Sequence, residues 1–210
     1  MYTEILDKIA NWEYFSFSRW WDWEFLCMKN NWWENCDWHT YFPELGKRLR
    51  EILASKPEYI LWLQWLVKQI MPKYMETFNI DNWVWADIFH YKSIDSGLDE
   101  LIAILKPNNI VMVWPSYLKW LLWWVFIEIP DNNCRLSYKE ILLEIKKNID
   151  TGCVVIYCAS MMANVLIDDI YKYKRDITQI DIGSAFDPYV WKHTRDYHKD
   201  ILTRLDTTWK

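Results

Sequence analysis

The sequence predicts an α/β fold, doubly wound, in which a mostly parallel sheet carries helices on both faces. Three observations predict it. Short runs rich in β-branched and aromatic residues alternate along the chain with helix-like segments of about ten or more residues. The run at 153–158 is apolar throughout, and that at 109–113 nearly so, as strands covered on both faces are. Helix start and stop signals fall between the strands, so crossovers can pack back onto the sheet in the right-handed sense.

The elements follow in order. Residues 3–12 read as a helix, 14–19 alternate as a strand, and the polar stretch 29–39 reads as a loop. Pro43 suits the first turn of a helix running to about residue 55, where its fixed φ fits and its missing N–H has no intrahelical partner to lose. Glu44 complements the positive end of that helix dipole. Residues 59–63 make a short strand. Ser96 caps a helix through 105, Pro107 stops it, and strands are expected at 109–113 and 125–129. Ser137 and Glu140 have the spacing of a capping box, opening a helix to 149. The strand 153–158, a helix 160–173 and a strand 179–182 complete the series. No repeat or linker interrupts it, so residues 1–210 are expected to form a single domain.

The totals exclude several functions. A net charge of −5 and a pI near 5.4 do not fit a nucleic-acid footprint, so Lys146, Lys147 and the basic stretch 172–175 read as solvated helix faces. The longest apolar run, 120–127, is far shorter than the roughly 20 residues a membrane-spanning helix needs. Five cysteines and the absence of a signal-like start predict a reducing, cytoplasmic location. Cys27, Cys36 and His39 lack a fourth zinc ligand at a familiar spacing, and Cys153 and Cys158 read as core. No Walker, His-Glu-x-x-His or Gly-x-Ser-x-Gly motif occurs.

In sheets of this kind ligands bind beyond the carboxyl ends of the strands. That singles out the segments 19–24, 114–116, 159–162 and 183–188. Asp22 and Glu24 lie just past the first strand, and in extended chain residues two apart project to the same side. Their carboxylates could then share one Mn²⁺ or Mg²⁺, an ion that takes its remaining ligands from water and substrate phosphates. The alternative is a solvated acidic turn.

Composition adds a second signal. About 7% glycine would give about 15 in this length; the chain has 4, against 17 tryptophans. With Trp21 and Trp23 read as glycine, residues 18–25 become Ser-Arg-Trp-Gly-Asp-Gly-Glu-Phe. This resembles the signature of the GT-D-type glycosyltransferases, which carry an Asp-x-Glu metal motif after the first strand of a Rossmann-like domain. The segments 35–53, 110–118 and 180–198 resemble the corresponding parts of that family in the same order.

The resemblance implies a metal-dependent enzyme moving a sugar from a nucleotide-sugar donor, such as a UDP-sugar, to a glycan or glycoprotein acceptor in cell-surface polysaccharide or adhesin glycosylation. Asp22 and Glu24 become the metal and diphosphate ligands. Arg19 faces the diphosphate, because a guanidinium suits phosphate geometry; its alternative is an ion pair with Asp22 or Glu24. Asp187 orients a sugar hydroxyl or acts as base, and His198 is a second candidate base. Ser116, Gly183 and Arg195 join the substrate-binding set, with Asp37 and His39 near the sugar or acceptor. Each also has a bland reading in packing, turns or surface.

The family pattern has glycine where this chain has Trp21, Trp23, Trp114 and Trp191. Certain bacterial codes read UGA as glycine and others as tryptophan, so translation with the wrong table would make that exchange and spare Gly46, Gly97, Gly152 and Gly183. Restoring glycine at the four positions is expected to relieve strain and reopen the site. Two other readings are a non-catalytic carbohydrate- or membrane-surface binder built on the indoles, and a degenerate family member acting as a scaffold.

Overall fold

A computed structural model of the chain describes residues 2–29, 40, 42–63, 71–85, 89, 92, 97–105, 109–119, 125–192, 194, 195, 198 and 199. Seven strands form one sheet: β1 (Ser16–Trp20), β2 (Ile60–Leu63), β3 (Trp83–Trp85), β4 (Ile110–Pro115), β5 (Val125–Ile129), β6 (Val154–Tyr157) and β7 (Thr178–Asp181). Their spatial order is β3-β2-β1-β7-β6-β4-β5, and every neighbouring pair is parallel. The helices among the described residues are α1 (Tyr2–Ala10), α2 (Asp22–Met28), α3 (Pro43–Ala54), α4 (Met71–Phe78), α5 (Gly97–Leu105), α6 (Tyr138–Asn148) and α7 (Met162–Tyr173). None is long and apolar enough to cross a membrane.

The sheet separates two apolar cores, and successive strand residues alternate between them because side chains along a strand point to opposite faces. On β4, Val111 and Val113 pack with α2, α3, α4, α6 and α7, whereas Ile110, Met112 and Trp114 pack with α1 and α5. On β6, Val155 and Tyr157 share the first core and Val154 and Ile156 the second. Each such buried side chain contributes about 1.5–3 kcal/mol relative to exposure. Buried polar side chains cross the central strands: Tyr157 Oη donates to Gln179 Oε1 at 2.8 Å, and Gln179 Nε2 donates to Ser16 Oγ at 2.9 Å. A second polar cluster ties α3 to α7, where Arg48 reaches Asp168 at 2.7 Å and Asp169 at 2.6 Å and Lys172 reaches Asp168 at 2.7 Å.

Several local expectations change. The first strand does not alternate between buried and exposed, because β1 is central and covered on both faces, leaving only Arg19 partly exposed. Ser137 makes no capping hydrogen bond; it closes a 3-10 turn, Cys134–Ser137, that leads into α6. The sequence reading did not anticipate α4 and β3, which are short, at eight and three residues. Ser96 and Pro107 lie outside the described residues.

Candidate active site

From β1 the chain steps outward to β2 and β3, while β7 is reached from the other half of the sheet. Such a reversal leaves a crevice between the carboxyl ends of the two central strands. Here a cavity of about 450 Å³ opens over the carboxyl ends of β1, β7, β6, β4 and β5. Arg19, Glu24, Gly183, Asp187 and Arg195, all named from the sequence, line it together. Asp37 and His39 lie outside the described residues.

Arg19 lies flat against the turn after β7. A Cβ on Gly183 would stand 1.8 Å from Arg19 Nη2, and Gly183 has φ +54°, so both space and backbone require glycine there. The Trp21 ring also packs on this guanidinium, with Arg19 Cζ 4.5 Å from its centroid. The nearest acidic partner recorded for Arg19 is Asp181, at 3.9 Å from Nε, rather than Asp22 or Glu24. Burial raises the Asp181 carboxyl, and Arg19 and the Gly183 N–H, which donates to Asp181 Oδ1 at 3.0 Å, oppose that rise.

Asp22 and Glu24 are not on extended chain. Helix α2 begins at Asp22, so residues two apart point about 200° apart around the axis and do not face one another. Glu24 folds back: Oε2 accepts the Trp21 N–H at 2.7 Å and Oε1 accepts from Asn164 Nδ2 at 3.2 Å. This is half of a capping box, since Trp21 has no side-chain acceptor to return the bond. Glu24 is buried, and burial pushes its carboxyl up to about 7, although the Trp21 N–H and the Arg19 charge pull it down. Asp22 is half-buried, does not line the cavity, and accepts the Trp23 N–H; burial raises it too.

Asp187 is buried on the far wall, where Oδ1 accepts from Tyr117 Oη at 3.0 Å and Oδ2 from Thr194 Oγ1. Burial raises its carboxyl, while those hydrogen bonds and Arg195 pull the other way. His198 is fully buried and does not line the cavity; its Nδ1 accepts the Thr194 N–H at 3.2 Å, which holds the turn carrying Arg195. Ser116 is exposed and begins a 3-10 turn, so Tyr117 takes the place in the wall expected for Ser116.

Sequence reasoning missed Asp181, Asn164, Tyr117 and Lys192. Asp181 and Asn164 had a legible signal, being polar residues in apolar stretches next to strand-end loops. Tyr117 and Lys192 had none: the Lys192 ammonium reaches the site over the Tyr117 ring, 3.2 Å from its centroid, through a contact between distant segments.

The donor set fits a small divalent cation only in part from protein. Among the described residues no group of three His, Cys, Asp or Glu side chains could hold an ion. Glu24, a hard oxygen donor at the cavity wall whose charge burial disfavours, suits an ion that takes one or two carboxylates and completes its shell with phosphate and water.

The tryptophans sort into different environments. Of Trp21, Trp23, Trp114 and Trp191, Trp191 alone has a left-handed backbone, φ +59°, and it is exposed; Trp12 shares both properties. Trp21 has φ −115°, in the extended range open to any residue, so the expected backbone demand for glycine does not hold there. Trp114 is fully buried, donates from Nε1 to Ile156 O at 3.0 Å and packs on Phe186. Trp20, Trp62 and Trp114 are core residues, so these indoles do not belong to an exposed binding platform.

No protein-family model matches the sequence, and no curated protein matches it. Two solved structures resemble the fold. One is the selenomethionine-substituted structure of domain of unknown function 1792, with TM-score 0.65 and 18% identity over 95% of this chain and 87% of that one. The other, with TM-score 0.65 and 19% identity over the same shares, is described as showing that this highly conserved domain has a distinct glycosyltransferase fold. The likeness establishes a Rossmann-like glycosyltransferase fold for this chain.

Proposed function

We propose that this chain is a metal-dependent glycosyltransferase that moves a sugar from a nucleotide-sugar donor, a UDP-sugar, to a glycan or glycoprotein acceptor. One observation carries the reading: the Arg19 guanidinium lies against Gly183 in the cavity that Glu24 also lines, at the carboxyl ends of β1 and β7. This is where a diphosphate would meet a planar cation and turn backbone at close range. The glycosyltransferase fold of the two structural relatives supports it.

In the transfer, the bond from the anomeric carbon to the diphosphate oxygen breaks and its electron pair leaves with the nucleoside diphosphate. The acceptor hydroxyl oxygen bonds the anomeric carbon, and its proton goes to a base. Arg19 and Arg195 bind the diphosphate, and Lys192 adds positive charge to the same cavity. Asp187, aimed by Tyr117 and Thr194, orients a hydroxyl or accepts the proton. His198 acts by positioning the turn at Thr194 and Arg195. A cation held by Glu24 would supply charge neutralisation for the leaving diphosphate.

The test is a thermal-shift screen of nucleotide sugars with Mn²⁺, since a ligand that prefers the native state raises its melting temperature. A UDP-sugar is expected to stabilise the wild type, and Glu24→Ala to abolish Mn²⁺-dependent transfer while the fold persists. Undiminished transfer by that variant at saturating Mn²⁺ would remove Glu24 from the site.

A further inference from the structure

The two central strands part at the cavity. Pairing of β1 with β7 runs through Ser16↔Gln179 and Phe17↔Ile180, whereas β1 stays paired with β2 as far as Trp20↔Leu63 and β7 with β6 as far as Tyr157↔Asp181. Arg19 on one strand and Asp181 on the other therefore flank the gap. Arg19 and Gly183 line the cavity, and Asp181, 2% exposed, sits behind them without lining it. Its carboxylate serves both: Oδ1 accepts the Gly183 N–H at 3.0 Å, a side-chain turn that shapes the backbone under the guanidinium, and Oδ2 lies 3.9 Å from Arg19 Nε. At that distance the carboxylate attracts the guanidinium without taking its Nε–H in a hydrogen bond, so the fork of N–H donors is aimed and not spent.

We propose that Asp181 is a positioning residue for Arg19, its buried carboxylate holding the guanidinium in place across the parted strands before a diphosphate arrives. What Arg19 binds rests on the glycosyltransferase reading; how Arg19 is held does not. By charge alone, a carboxylate behind an anion site repels the anion. A guanidinium already fixed in place offsets that repulsion, because it loses less side-chain freedom on binding. The two effects have opposite signs in Asp181→Asn, which removes the charge, keeps the size and retains an acceptor for the Gly183 N–H.

The experiment compares wild type with Asp181→Asn. UDP affinity is measured by calorimetry, and hydrogen exchange of the Arg19 Nε–H is followed by NMR in the ligand-free proteins, the signal being assigned by its loss in Arg19→Ala. Arg48, clamped by Asp168 at 2.7 Å and Asp169 at 2.6 Å, serves as the control for the rest of the fold. Asp181→Asn is expected to speed Arg19 exchange about tenfold, to leave Arg48 unchanged and to weaken UDP binding about tenfold, the usual effect of removing a group that orients a contact residue. Unchanged or tighter UDP binding overturns the assignment, because the carboxylate then acts on the ligand by charge alone or not at all. Unchanged Arg19 exchange overturns it whatever happens to UDP, and equal acceleration at Arg48 marks a role in the fold instead. If Asp181→Asn does not fold, Asp181→Ser, whose hydroxyl can also accept the Gly183 N–H, is read in the same way; failure of both to fold assigns Asp181 to the fold and ends the proposal. If wild type binds no UDP, faster Arg19 exchange in the variant sustains the positioning and counts against the donor reading alone.

Discussion

Asn164 Nδ2 donates to Glu24 Oε1 at 3.2 Å, and the Asn164 amide is itself oriented by Ser18 Oγ, which donates to Oδ1 at 2.6 Å. All three side chains are buried, at 0%, 6% and 0% exposure for Asn164, Glu24 and Ser18, so the chain Ser18–Asn164–Glu24 fixes the carboxylate from beneath the cavity. A polar residue set in the apolar face of α7 is costly unless hydrogen-bonded, and here each bond aims at Glu24.

Asn164→Leu is therefore expected to weaken Mn²⁺ binding by about tenfold, the usual effect of removing a group that orients a metal ligand. In the Glu24→Gln background the same change is expected to have no further effect on Mn²⁺ affinity. Equal losses in both backgrounds, measured by calorimetry, would show that Asn164 does not act through Glu24.

Glu24 also sets a pH dependence. Its folded pKa of about 7 lies above the ordinary 4.5, so between those values the folded state binds more protons than the unfolded state. Stability is then greatest below the ordinary value and falls as pH rises through the folded one, by at most about 3 kcal/mol. Metal-free wild type is expected to lose melting temperature relative to Glu24→Gln from about pH 5 to about pH 7.5. Parallel melting curves across that range would place the Glu24 carboxyl in an ordinary environment.

Gly183→Ala adds a Cβ where the Arg19 guanidinium already lies and forces a side chain into φ +54°. The left-handed backbone alone costs about 1–2 kcal/mol, and a displaced Arg19 should lower UDP affinity by at least about tenfold. Wild-type UDP affinity in a folded Gly183→Ala protein would detach Arg19 from the donor site.

The tryptophans divide on a pair of measurements. Trp191→Gly should stabilise this protein by about 1 kcal/mol, because it frees an exposed left-handed position. Trp114→Gly should destabilise it by about 3–5 kcal/mol, because it empties a packed core site and removes the bond to Ile156. Stabilisation in both would favour translation of UGA glycine codons as tryptophan, and UGG codons at 21, 23, 114 and 191 in the gene would end that idea.

The sequence alone determined the α/β class and most strand and helix positions, because apolar periodicity and a helix-starting residue such as Pro43 act over a few neighbours. It also placed Arg19, Glu24, Gly183 and Asp187 at strand-end loops and named Arg195 in the C-terminal segment, and the five meet in one cavity. Only the tertiary structure decided that residues 22–24 turn into a helix, that Tyr117 rather than Ser116 faces inward, and that His198 stays below the surface. Each of those depends on what packs against the segment. The strand order sets β7 beside β1, and with it brings Asn164 under Glu24 and Gly183 against Arg19, contacts spanning 140 residues or more of chain that no local pattern encodes.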